Sequence, residues 1–214
     1  MKVWSSEHTF DHDWETVARA AWRKYPNPLK PEVTGIDVVD RSVGDDNILR
    51  TTRLLRTEWR IPSWATALIG FKNPSYAQEY SEVDATRRRM MLKSRNLNCR
   101  NFVCVEETLN YEPHPKDSSK TLMTQTANIS VYGVPLINYM ENMLLSMFSF
   151  NAQKGCQAME WVIRNIKKEY EDLSTKLNSE YVQARRSVDG LVRSLDDLSQ
   201  SLGNGYEPAT RPKL

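Results

Sequence analysis

The sequence predicts an α+β fold, with a run of consecutive antiparallel strands gripping one long C-terminal helix. Two observations predict it. Between Val33 and Tyr132 the apolar residues recur with a period of two, and the links between strands are turn-like. After Pro135 the recurrence changes to three and four and stays there, as an amphipathic helix requires. Strands in succession followed by a helix favour antiparallel pairing with the helix laid across one face.

The elements follow in order. Lys2 to Phe10 alternates and reads as a first strand. Asp11 or Asp13 can cap a helix with Glu15 in its first turn, and Val17, Ala20, Ala21 and Trp22 give that helix an apolar stripe. Arg23 and Lys24 sit in its last turn. Pro26 and Pro28 then stop it, because each fixes φ and pushes the preceding residue out of helical geometry.

Ile36, Val38 and Val39 mark the second strand. Gly44-Asp45-Asp46-Asn47 is a turn signal, and 48–60 is the third strand, with Leu49, Thr51, Arg53, Leu55 and Thr57 on one face. Pro62 ends it. The segment Ser63 to Gly70 is short and apolar, and strands follow near 75–84, 87–97, 99–111 and 119–133. Pro113 to Asp117 reads as a loop. Pro135 fits the first turn of the long helix, in which Leu136, Tyr139, Met140, Met143, Leu144, Met147 and Phe148 recur at helical spacing. Ala152, Ala158, Met159, Val162, Ile163 and Ile166 continue that face. The reading divides the chain into a domain over 1–172, an amphipathic helical extension over 173–202 and a disordered tail over 203–214.

Composition narrows the function. Among 214 residues, 29 basic and 27 acidic side chains give a net charge of +2, without the basic excess of a dedicated nucleic-acid binder. No apolar run reaches the length of a membrane span, and no signal-peptide core or amphipathic presequence is evident near the N-terminus. The three cysteines, Cys99, Cys104 and Cys156, lack CxxC spacing, and the histidines are scattered, so neither a disulfide framework nor a metal site is expected. Cys104 lies in an apolar strand and is expected to be a buried thiol. There is no nucleophile-elbow sequence, phosphate-binding glycine loop or HExxH motif, so no enzymatic chemistry and no cofactor is indicated. Glu106 and Glu107 are strand neighbours on opposite faces and cannot form an acid/base pair.

A curved seven-stranded sheet around a helix leaves a cavity, the ordinary place for a small ligand. Three cations stand near it in the sequence pattern. Lys24 lies at a rigid proline corner that suits a bound anion, or simply ends a helix with favourable dipole pairing. Arg53 shares a face with Leu49 and Leu55. Facing inward it would need an anionic ligand or a carboxylate; otherwise the face is reversed or the strand is an edge. Lys154 lies in a polar dip of the long helix and is either a cavity cation or part of a solvated break. Trp64, Leu68 and Ile69 make the segment after Pro62 either a lid that touches a membrane interface, where Trp is favoured, or a loop packed on its own sheet.

The motif Lys24-Tyr25-Pro26-Asn27-Pro28 resembles the Tyr-Pro-Asn-Pro signature of the PRELI-domain family, and of its slowmo branch in particular. Met1 to His8, Arg53-Leu54-Leu55, Tyr111 to Pro115, Lys120-Thr121-Leu122, Asn151 to Gly155 and Met159 to Ile163 are similar to that branch as well, in the same order over residues 1 to about 170. The resemblance implies a START-like helix-grip fold. It also implies a carrier of anionic phospholipid in the mitochondrial intermembrane space, with phosphatidylserine favoured and phosphatidic acid next. A small helical twin-Cx9C protein would be its heterodimeric partner, and its contact with the membrane would be transient. By position it assigns Lys24, Arg53 and Lys154 to the head group, and Trp64, Leu68 and Ile69 to the lid. A START-like enzyme and an interaction scaffold are the alternatives from other classes.

Overall fold

The computed structural model describes residues 1–58, 63–69 and 73–203, and within them leaves out the side chains of Ala65, Leu68, Ile69 and 196–203. Seven antiparallel strands form one sheet: β1 (Lys2–Phe10), β2 (Val33–Val43), β3 (Leu49–Thr57), β4 (Ser75–Asp84), β5 (Arg89–Asn96), β6 (Val103–His114) and β7 (Asp117–Val131), in the spatial order β1-β7-β6-β5-β4-β3-β2. Strands β2 to β7 form a meander, and β1 closes it by pairing with β7 in unbroken register from Lys2↔Ile129 to Phe10↔Thr121. The helices are α1 (Trp14–Trp22), α2 (Ser63–Ile69) and α3 (Ile137–Gly203). The fold is the expected helix-grip arrangement, a seven-stranded antiparallel sheet with a long C-terminal helix.

Asp13 caps α1: its carboxylate accepts from the Thr16 backbone N–H at 3.0 Å and from the Thr16 hydroxyl at 2.7 Å. That satisfies one of the orphan donors of the first turn. Trp14, Val17, Ala18, Ala20 and Ala21 of α1 are buried, and the Trp14 indole donates to the Tyr111 carbonyl at 3.0 Å, tying α1 to β6. Along α3, Met140, Ala158, Met159, Val162 and Ile163 are buried in the core with Phe10, Met123, Ala127 and Ile129 of the sheet. Burial of such side chains contributes roughly 1.5–3 kcal/mol each for the larger ones.

Several boundaries differ from those expected. β6 continues through Pro113 to His114 and β7 starts at Asp117, so the expected loop at 113–117 is a tight turn. A register irregularity at Pro113/His114 accommodates the proline, which has no N–H to give a ladder. β2 is an edge strand whose Val38 and Val39 are exposed, and Cys104 is half-buried rather than buried. Helix α3 begins at Ile137, after Leu136 with a positive φ of 61°, two residues later than Pro135 would set it.

By contacts the chain divides into Met1–Asn165 and Ile166–Leu214. The first unit holds the whole sheet. In the second, α3 runs on to Gly203, and its side chains from Lys167 to Leu195 are predominantly exposed, including Leu173, Leu177, Tyr181, Val188 and Leu191. No described helix is long and apolar enough to cross a membrane.

Candidate lipid cavity

Between the concave face of the sheet and α3 lies a cavity of about 290 Å³, with walls that are mostly apolar. Met123, Ile129, Met140, Leu144, Met147 and Met159 make much of its lining. Flexible methionines suit a surface that must adapt to variable chains.

Across the floor of the cavity runs a polar row. Arg53 on β3 pairs in register with Glu79 on β4, Glu79 with Ser94 on β5, and Ser94 with Glu107 on β6. Residues directly opposite in successive antiparallel pairs point to one face, so all four side chains turn inward together. All four line the cavity.

The two ends of this row differ. At one end the Arg53 guanidinium is buried and donates through Nε at 2.8 Å, and also through Nη2, to Glu79 Oε1. Its Nη1 points to the Trp22 carbonyl at 3.4 Å, and the guanidinium lies 5.9 Å from the Trp22 ring centroid. Arg53 therefore faces inward, and the carboxylate that satisfies it belongs to the protein. At the other end, Glu107 accepts from Ser94 Oγ at 3.1 Å and from the Gln125 amide. Burial pushes the Glu107 carboxyl above its ordinary range, although Gln125, Lys24 and Ser94 act in the opposite sense.

Above the row stands Lys24, from the corner that ends α1. Its neighbour Asn27 fixes the corner to α3. The Asn27 amide donates to the Ala158 carbonyl at 3.0 Å and its oxygen accepts from the Leu29 N–H at 2.9 Å. The Tyr25–Pro26 bond is cis. Nζ of Lys24 lies 5.6 Å from the Tyr25 ring centroid and against α3 at Gly155, where a Cβ would lie 3.4 Å from it. Among the described residues Lys24 has no hydrogen-bonded or salt-bridged partner. Burial opposes its charge most, yet Tyr25, Tyr111, Glu107 and Glu79 together raise its affinity for the proton, so it is a cation at neutral pH. Lys24 and Glu107 are both half-buried and both line the cavity.

Lys154 is placed differently. It is half-buried on α3, with Nζ 4.7 Å from the Phe150 ring centroid, and is not among the residues lining the cavity. It lies one position before Gly155, and a helix rotates about 100° per residue, which turns it away from the stripe of Ala152, Gly155, Cys156 and Met159. Lys30 is a cation that the sequence reading missed. It is buried in the wall, 2.7 Å from Glu32 and 3.4 Å from Asn151 Oδ1. Burial lowers its proton affinity, Glu32 opposes that, and Lys24 and Lys154 add to it. Its place between Pro28 and Pro31 carries no periodicity that marks it as interior.

In α2, Trp64 is 44% exposed and lies 5.9 Å, ring centroid to ring centroid, from Tyr139 of α3. The side chains of Leu68 and Ile69, and residues 59–62 and 70–72 on either side of α2, lie outside the described residues.

Known proteins extend these observations. A protein of Saccharomyces cerevisiae called Protein UPS2, mitochondrial, is 35% identical over 196 residues, covering 88% of this chain and 85% of that one. A slowmo homolog of Dictyostelium discoideum is 31% identical over 186 residues, covering 86% and 80%. Solved structures share the architecture at low identity. The protein TTHA0849 of Thermus thermophilus matches 77% of this chain and 99% of its own with a TM-score of 0.54 and 16% identity. The ZhuI aromatase/cyclase of a Streptomyces species matches 77% and 96% with a TM-score of 0.53 and 13% identity. The PRELI-like family matches residues 15–169, which take in the proline corner, the polar row and the cavity-lining part of α3, and the chain belongs to that family.

Proposed function

We propose that this protein is a phospholipid carrier that moves an anionic phospholipid between the outer and inner mitochondrial membranes. Phosphatidylserine is the favoured cargo and phosphatidic acid the next. The observation that carries this reading is a largely apolar cavity with Lys24 in its lining, unpaired among the described residues. A buried cation without a counter-ion is costly, and an anionic ligand group offsets that cost.

The phosphate meets Lys24, and the acyl chains lie along α3 against Met140, Met147 and Met159. Arg53, held by Glu79, contributes positive potential rather than a free fork. Lys154 acts on the site through its field on Lys30 and Glu32. Each buried methylene contributes about 0.8 kcal/mol, so the cavity competes with a bilayer for the chains it accepts. Trp64 of α2, with Leu68 and Ile69, makes the transient membrane contact.

Carriage requires no bond to be made or broken. Burial raises the Cys156 thiol, the cysteine beside Gly155 in the lining, and so disfavours the thiolate a nucleophile would need. The intermembrane space and a small helical twin-Cx9C partner belong to the same reading, which the mitochondrial relative supports as to organelle. The test is transfer of fluorescent phosphatidylserine between donor and acceptor vesicles, by the protein alone and with such a partner. Spontaneous-rate transfer in both, with no lipid retained on the protein in native mass spectrometry, refutes carriage.

A further inference from the structure

We propose that Glu107, held by Ser94 and Gln125, is a cation subsite inside the cavity that receives the ammonium of an amino-bearing head group while Lys24 receives its phosphate. The proposal rests on the carrier reading and adds to it the group that distinguishes one phospholipid from another.

The case starts from the unequal ends of the polar row. Two carboxylates line the cavity in that row, and they are treated differently. Glu79 is ion-paired through Oε1 with the Arg53 guanidinium. Among the described residues Glu107 has only neutral donors, a hydroxyl and an amide, one to each oxygen. A carboxylate has about four acceptor positions, so each oxygen of Glu107 keeps one. No ion pair joins Glu107 to Lys24, although each feels the charge of the other. Lys24 and Glu107 thus line the cavity without a charged partner in contact among the described residues, while the exposed Arg95, also in the lining, donates to the Gln78 amide oxygen.

A ligand with a single negative charge satisfies Lys24 and leaves Glu107 buried without a counter-ion. A head group with both phosphate and ammonium satisfies both. The ordinary packing role for Glu107 would be met by a neutral side chain at lower desolvation cost, since its partners Ser94 and Gln125 can pair equally well with an amide. Ser94 and Gln125 fix the carboxylate from two neighbouring strands, β5 and β7, so its free positions are held toward the cavity rather than free to rotate. This is the pre-orientation that recognition of a small cation needs.

The test compares wild type with Glu107→Gln, which keeps shape and hydrogen bonding. The protein extracts lipid from vesicles of equimolar phosphatidylserine, phosphatidylethanolamine, phosphatidic acid and phosphatidylglycerol, and bound lipids are counted by native mass spectrometry. The first two carry an ammonium and the last two do not. The proposal expects the ratio of ammonium-bearing to ammonium-free lipid to fall about tenfold or more in the variant, as loss of a charge-assisted contact implies. Glu107→Asp, which keeps the charge, should recover part of the ratio. An unchanged ratio in Glu107→Gln at a melting temperature no lower than that of wild type overturns the subsite and leaves carriage standing. Loading of phosphatidylserine alone without phosphatidylethanolamine assigns the selectivity to the serine carboxylate and also overturns it. If wild type extracts no lipid, the carrier reading itself fails.

Discussion

The Lys24 ammonium is seated against the bare Cα of Gly155, so close that a methyl group there would lie 3.4 Å from Nζ. Three residues further along α3, the Ala158 carbonyl accepts from Asn27. The proline corner is therefore pinned to the long helix at its lysine and again just beyond it, and the cation is held by packing rather than by a counter-charge.

Substitutions at Gly155 should separate stability from carriage. Gly155→Ala removes a flexible residue from a helix interior and should stabilise the protein by about 0.5–1 kcal/mol, with Lys24 little displaced. Gly155→Leu places branched carbons where Nζ lies, and transfer should drop at least tenfold while far-UV circular dichroism stays native. Equal transfer by the leucine variant would mean that Lys24 does not need this seat.

Asn27→Ala should loosen the corner. It removes a buried amide and leaves the Leu29 N–H without its partner, a loss on the order of 1–3 kcal/mol in urea unfolding. The same variant should lose lipid loading out of proportion to its stability, because Lys24 follows the corner. Intact loading in a destabilised variant would show that the pin serves only the fold.

Arg53 and Glu79 should behave as a structural pair. Arg53→Ala or Glu79→Ala alone leaves a buried charge unmatched and should cost roughly 3–5 kcal/mol, whereas Arg53→Met combined with Glu79→Leu should recover most of the loss. A double-mutant cycle by chemical denaturation reads the coupling. Additive losses would contradict the pairing at the cavity floor.

Glu107 sets a pH dependence with a definite sign. Burial raises its folded-state pKa above the ordinary 4.5, so the folded protein holds the proton more tightly than the unfolded chain. Its contribution is then favourable in acid and is lost as pH rises from about the unfolded value through the folded one. Glu107→Gln should melt higher than wild type at neutral pH, and the difference should shrink as pH falls from above the raised folded value down to the unfolded one. A constant difference across that range would contradict the buried carboxyl.

Much of this was legible in the sequence. The inward face of β3 was readable because Leu49, Thr51, Arg53, Leu55 and Thr57 alternate strictly, and four of the five are buried. Of the two caps the sequence allows, Asp13 is the one used, and α1 stops before Pro26 as local chemistry requires; it ends at Trp22 with Arg23 as its C-cap, so Arg23 and Lys24 lie beyond the last turn rather than in it. What could not be read was pairing across the sheet. Glu79 stands opposite Arg53 only through the β3–β4 register, and the segment between those strands is too long and irregular for its sequence to set that register. Glu107 was read as one of two neighbouring strand acids. The signal that separates them is alternation along β6: Glu107 shares its face with Val103, Val105, Leu109 and Tyr111, all in the cavity lining. Lys154 stands one helical step from the cavity stripe, and a polar dip in a pattern does not resolve one step.

The region beyond the first unit makes a separate claim. Side chains from Lys167 to Leu195 are predominantly exposed, and none of the cavity-lining residues lies there. Ending the chain after Asp172 should leave the melting temperature within a few degrees and lipid loading intact. A collapse of loading would make the extension part of the carrier.

The most direct measurement is the rate of vesicle-to-vesicle transfer of fluorescent phosphatidylserine by Lys24→Met, which keeps the packing against Gly155 and removes the charge. The account predicts a tenfold or greater loss of rate with a melting temperature at or above that of wild type, because an unpaired buried cation has been removed. Wild-type transfer by this variant would contradict it.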